Sequence, residues 1–149
     1  MNLDLTLPMR AEALIPHRPP MRLVDSLIFW ADAAAEIEAH PGADCILMGT
    51  DGTLAEAALV ELLAQGYAVA KGYDDLRHGK PISEGYLVGV RKLRITGEAP
   101  AGERLLVRIR TVGTFEGFAV AEGEVERAGR VVATGTIKLW IVNQAGGSA

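Results

Sequence analysis

Glu61 and Gln65 stand four residues apart in the stretch Gly52–Gly72, GTLAEAALVELLAQGYAVAKG, where almost every other side chain is apolar. On a helix that spacing puts both on one face, where a carboxamide can orient a carboxyl group. Apolar walls favour the neutral form of a carboxylic acid, because desolvation penalises its charge, and a neutral acid can deliver a proton to a leaving group. Glu61, between Val60 and Leu62-Leu63, has that setting. The same residue is also readable as a partly exposed helix residue, or as a buried carboxylate held by Gln65 or an arginine. A second proton-transfer group is His17, in Ile15-Pro16-His17-Arg18-Pro19-Pro20. An imidazole, with an unperturbed pKa of about 6.5, exchanges protons near neutrality; the plainer reading is that His17 orders a proline-rich entry. His40 at a strand end and His78 in a polar loop read as surface or structural residues, and three scattered histidines do not make a metal site.

The elements that must position these groups follow from pattern. Asp51-Gly52 predicts a turn, and Thr53 with Glu56 predicts a capping box that starts a helix at Leu54 and leaves Glu56 a capping role. A helix apolar all round cannot lie on a surface and must be enclosed. Before it, Met9–Leu14 suggests a short helix stopped by Pro16, and Pro19-Pro20 an extended path. Met21–Trp30 and Ala33–His40 read as two strands joined near Ala31-Asp32. After the helix, Tyr73–Ser83 reads as an exposed polar connection. Tyr86–Thr96, Arg104–Val112, Gly117–Arg127 and Val131–Val142 read as four strands, with turns at Pro100–Gly102, Gly113–Glu116 and Ala128-Gly129 and one wet and one dry sheet face. Two strands, one enclosed helix and four antiparallel strands predict an α+β hotdog fold, an antiparallel sheet wrapped around one long central helix, as a single domain over residues 1–149.

Composition narrows the function classes. The 149 residues are 49% hydrophobic and 23% charged, enough to bury a core. A net charge of −4 without a Lys/Arg cluster argues against nucleic acid. The one cysteine, Cys45, excludes an internal disulfide framework and fits a reducing cytoplasm. The N-terminal stretch lacks a basic start followed by an apolar core, so no signal peptide is expected, and no run approaches membrane-spanning length.

Leu14–Leu27, LIPHRPPMRLVDSL, resembles the opening motif of hotdog 3-hydroxyacyl-acyl carrier protein dehydratases, and Leu59–Gln65, LVELLAQ, resembles their central-helix motif. With GTDGTLAEA before the helix and GYLVGVRKLRI and APAGERL after it, the chain is most similar to the divergent, aryl polyene-type branch of that family. The resemblance implies dehydration of a 3-hydroxyacyl thioester to the trans-2-enoyl thioester in fatty acid or polyene-type lipid biosynthesis, with no cofactor and no metal. It implies Glu61 as the acid, Gln65 as its hydrogen-bond partner, and helix-start N–H groups near Gly52, Thr53 and Leu54 as donors to the thioester oxygen. Housekeeping members carry a catalytic His in a Gly-His-Phe segment fourteen residues before the Glu, and Leu47 stands there. The divergent branch keeps the earlier histidine, which makes His17 the implied base.

The resemblance further implies a substrate borne on an acyl carrier protein and dimers whose two sheets run together, as a homodimer, a higher homo-oligomer or a hetero-oligomer with a second hotdog dehydratase. Arg91, Lys92 and Arg94 read as a solvated strand face, with carrier contact as the lesser alternative. Two other functions stay open: a non-catalytic partner subunit of such a dehydratase, which Leu47 favours, and a hotdog acyl thioesterase.

Overall fold

In a computed structural model of the protein, which describes residues 4–142, the stretch around Glu61 and Gln65 forms a 22-residue helix, α1 (Glu56–Arg77). No residue from Ala58 to Leu76 is exposed, as an all-round apolar helix requires. Leu62, Leu63 and Val69 are fully buried, and each contributes roughly 1.5–3 kcal/mol by leaving water.

The enclosure is an antiparallel sheet of β1 (Met9–Arg10), β2 (Ser26–Ala31), β3 (Ala34–Ala39), β4 (Glu84–Ile95), β5 (Leu105–Phe115), β6 (Phe118–Arg127) and β7 (Arg130–Val142). Its order is β1-β2-β3-β5-β6-β7-β4, which leaves β4 as an edge. The apolar, β-branched residues of β5 form its centre: Val107 pairs with Ile37 on β3 and with Val125 on β6. This sheet wraps α1, the hotdog arrangement predicted from the order of elements. Close approach depends on Gly66, where a Cβ would stand 2.9 Å from Val107 Cγ1. The outward face carries ion pairs such as Arg108–Glu126 at 2.8 Å and Arg110–Glu122 at 2.7 Å.

Several expectations are corrected. The helix starts at Glu56 with Ala55 as its N-cap and no side-chain cap. Thr53 is diverted: its N–H and hydroxyl both donate to Asp51 Oδ1, so the Thr53–Glu56 capping box does not form. At the other end α1 runs past Gly72 to Arg77. Tyr73 and Asp75 are buried there, Tyr73 donating to Leu5 O at 2.7 Å, so this part of the expected exposed connection is core. Met9–Leu14 is a two-residue strand followed by the 3₁₀ turn Ala11–Ala13. Pro19-Pro20 lies in a turn closed by Met21 N–H to Arg18 O at 2.8 Å rather than an extended path. β2 begins only at Ser26, because Met21–Leu23 is bonded to α1 instead of a strand. Gly113–Phe115 continues β5, and the hairpin turns at Glu116-Gly117. The wet-and-dry division fails on β4, where nine of the twelve residues are exposed, none is buried and both faces carry apolar side chains open to solvent; an edge strand has one neighbour, not two.

Candidate active site

His17 is delivered by a segment tied down on both sides. Upstream, Ala11 N–H donates to Asp25 O at 2.8 Å and Ile15 N–H to Ala11 O at 3.0 Å. Gly72 of α1 admits this segment: a Cβ there would sit 2.1 Å from Leu14 O. Arg18 Nη1 then donates to Ile15 O at 2.8 Å and His17 O at 2.9 Å. Downstream, Gln65 accepts Leu23 N–H on Oε1 at 2.8 Å and donates from Nε2 to Met21 O at 2.8 Å. Gln65 is 1% exposed, and these bonds satisfy the buried Leu23 N–H and the part-buried Met21 carbonyl.

Gln65 Nε2 also donates to Glu61 Oε1 at 2.9 Å. The four-residue spacing on α1 therefore does what it predicts, and one amide joins the carboxyl group to the chain that carries the histidine. His17, Glu61 and Gln65 line a single cavity of 160 Å³ with Tyr67, Lys71 and Tyr86 among its walls. Nδ1 of His17 is buried there without a hydrogen-bond partner among the described residues. A buried ring nitrogen left unbonded is costly, and functional sites are where that cost is tolerated.

Gly52, Thr53 and Leu54 lie elsewhere. Their N–H groups donate to Gly49 O, Asp51 Oδ1 and Ala99 O, at 3.1, 3.0 and 2.9 Å, and none of the three lines the cavity of His17 and Glu61. This arrangement offers no free donor from that stretch. Leu47 packs half-buried against the core, its carbonyl accepting Ala55 N–H at 2.9 Å. His40 sits at the end of β3 near Asp25, and His78 caps α1 beside Asp74, as their positions in the sequence suggest. Among the described residues no group of three or more His, Cys, Asp or Glu could hold a metal ion, and no helix is long and apolar enough to cross a membrane.

Three features of the site escape sequence reading. Lys71 Nζ pairs with Asp75 Oδ1 at 2.5 Å, and Asp75, 1% exposed, accepts Ser83 N–H at 2.9 Å on Oδ2. This chain of contacts folds the start of β4 over the cavity. The i, i+4 spacing of Lys71 and Asp75 is the only signal in the sequence. Tyr67 is pushed up to about 12 by burial, then by the charges of Asp75 and Asp74, so its phenol is neutral at ordinary pH.

Comparison with known proteins fits this arrangement. The chain is similar in structure to the dehydratase heterocomplex ApeI:P from Xenorhabdus doucetiae, with 24% identity, a TM-score of 0.84 and coverage of 92% of this chain and 93% of that one. It is also similar to the uncharacterised protein PH1136 from Pyrococcus horikoshii, at 16% identity and TM-score 0.66, over 93% and 97% of the two chains. A hypothetical thioesterase from Streptococcus pneumoniae, solved with coenzyme A, matches at 12% identity and TM-score 0.63, over 79% and 85%. These likenesses establish the hotdog fold. No curated protein sequence matches the chain. The sequence model of the ApeP-like family, described as ApeP dehydratase, matches residues 9–146. The chain therefore belongs to the ApeP-like dehydratase family.

Proposed function

We propose that the chain eliminates water from 3-hydroxyacyl thioesters carried on an acyl carrier protein, with His17 and Glu61 as its proton-transfer pair. The observation that carries this reading is their meeting in one cavity, with Glu61 oriented by Gln65 and Nδ1 of His17 unpartnered among the described residues. In the proposed step His17 takes the α-proton, and the electron pair of the broken C–H bond forms the Cα=Cβ double bond. The Cβ–O bond breaks, and the departing hydroxyl takes the proton of Glu61 and leaves as water. Because Gln65 donates to Oε1, Oε2 is the oxygen of Glu61 that carries the proton. Transfer of the proton from His17 back to Glu61 resets the pair.

The chain works, on this reading, beside a second hotdog dehydratase chain in the cytoplasm. Support comes from β4: it ends the sheet and exposes Tyr86 at 54%, Val88 at 53% and the side chains of Val90 and Leu93. An apolar unpaired edge is a template for another strand, and the similar structure from Xenorhabdus doucetiae is a heterocomplex. Leu47, at the position of the housekeeping histidine, favours a second reading in which the partner performs the chemistry.

The test is intact-mass analysis of a 3-hydroxyacyl carrier protein incubated with the chain alone, with Glu61→Gln and with His17→Ala. Loss of one water by the wild type and by neither variant is the expected result. Loss that persists in His17→Ala removes that base. No change with the chain alone, but dehydration on adding a second hotdog chain that Glu61→Gln does not impair, assigns the chemistry to the partner; release of the whole acyl group makes the chain a thioesterase.

A further inference from the structure

Residues on two adjoining faces of α1 line two different cavities. Ala64, Gln65 and Ala68 border the 160 Å³ cavity of His17 and Glu61. Ala70 and Asp74, beyond Tyr67 and Lys71 in the turn of the helix, border a second cavity of 260 Å³ with Trp30, Ala34 and Ile109. Tyr67 and Lys71, four residues apart, line both. They form the ridge between the two spaces.

The two halves of that ridge are held differently. Lys71 is pinned by Asp75, which is itself fixed by Ser83 N–H. Tyr67 is 4% exposed, yet its hydroxyl makes no hydrogen bond among the described residues, whereas the neighbouring Tyr73 hydroxyl is bonded to Leu5 O. Unlike Nδ1 of His17, this hydroxyl is not sealed from solvent, so among the described residues no hydrogen bond fixes the Tyr67 ring.

Space on the reactive side is small. Its 160 Å³ compares with 260 Å³ beyond the ridge. The thioester and the two reacting carbons take up part of the smaller space, and the larger one offers further room to a long acyl chain.

We propose that Tyr67 sets the acyl length this site accepts, its ring closing the cavity of His17 and Glu61 against the larger space lined by Trp30 and Ala70. The proposal rests on the dehydratase reading for its substrate. Removing the ring joins the two cavities, and filling the second one again restores the limit.

The experiment compares 3-hydroxybutyryl, 3-hydroxyoctanoyl and 3-hydroxytetradecanoyl carrier proteins with the full chain, in whichever assembly dehydrates the shortest. In the wild type kcat/KM falls by about tenfold or more from the shortest to the longest, the scale of discrimination that pocket size supplies. Tyr67→Ala raises the ratio of tetradecanoyl to butyryl turnover by at least about tenfold, and Ala70→Leu in that background takes the gain away. Tyr67→Leu serves if the alanine variant does not fold. Binding of the matching acyl-pantetheine amides is read independently of turnover by Trp30 fluorescence, with Trp140→Phe removing the other tryptophan. The long amide perturbs Trp30 only when Tyr67 has been shortened. An unchanged length profile in the Tyr67 variants, or a Trp30 response to the long amide with Tyr67 intact, overturns the proposal. Failure to dehydrate any of the three overturns the dehydratase reading instead, and the fluorescence still decides the role of Tyr67.

Discussion

Gln65 Nε2 donates to Glu61 Oε1 at 2.9 Å while the same side chain holds the Met21 carbonyl and the Leu23 amide. One carboxamide on α1 thus orients the carboxyl group and fixes the chain four to six residues beyond His17. Position of the acid and position of the base are coupled through it.

Gln65→Leu tests the coupling. The variant keeps the volume but leaves the buried Leu23 N–H without a partner, at about 1–3 kcal/mol, and the part-buried Met21 O to solvent. Urea denaturation is expected to show a loss of roughly 1–3 kcal/mol. Dehydration is expected to fall mainly in kcat, with KM moving less, because the variant disturbs the orientation of the reacting groups rather than the cavity walls. Stability lost with kcat retained would show Gln65 to be a fold residue only.

Gly72→Ala addresses the other anchor of the histidine segment. The new Cβ would meet Leu14 O at 2.1 Å, a backbone atom that cannot turn aside, so the 3₁₀ turn Ala11–Ala13 has to shift away from α1. Overpacking of this kind costs about 1–3 kcal/mol. A fall in Tm together with a fall in activity is expected; an unaltered Tm would mean the two segments part without cost.

These contacts mark the limit of what the sequence shows. Glu61 and Gln65 are legible because a helix converts their spacing directly into a shared face, and the enclosure of α1 is legible because no polar side is left for water. Asp75 is not legible: in Tyr73–Lys80 it sits among polar residues typical of a loop, and only the bonds to Lys71 and Ser83 make its burial possible. Thr53 has the right type and spacing for an N-cap, but Asp51 lies closer in sequence and takes its N–H and hydroxyl. Leu47 marks a missing histidine without showing where its task goes. Tyr67 reads as one more core aromatic, and its place between two cavities depends on β2 and β4, which approach from opposite ends of the chain.

Alkaline titration isolates the Tyr67 phenol. Its pKa is raised from 10.0 to about 12, by burial first and then by Asp75 and Asp74. The folded state therefore keeps the proton when the unfolded chain releases it, and this contribution is full below about pH 10 and lost as pH rises through about 12. Two units correspond to at most about 3 kcal/mol. Tyr67→Phe, which removes a hydroxyl that bonds to nothing among the described residues, is expected to leave Tm near neutrality little changed and to flatten its decline between those pH values. Equal alkaline slopes in the two proteins would mean that Tyr67 ionises as freely folded as unfolded.

The edge of the sheet supplies the last prediction. Among the described residues β4 is hydrogen-bonded only to β7, and Val88 and Val90 are exposed there. Carboxylates at these positions stay solvated in an isolated chain, so Val88→Asp with Val90→Asp is expected to shift Tm little in a monomer. At an interface the same charges would lose water without gaining partners, a cost of several kcal/mol that a strand-to-strand contact does not repay. Size-exclusion chromatography with light scattering is expected to show the wild-type chain in assembly, with itself or with a second hotdog chain, and the double variant as a monomer. If the variant assembles as the wild type does, β4 is not the pairing edge. If it becomes monomeric and also stops dehydrating, the cavity beside Tyr86 needs the partner chain to be complete.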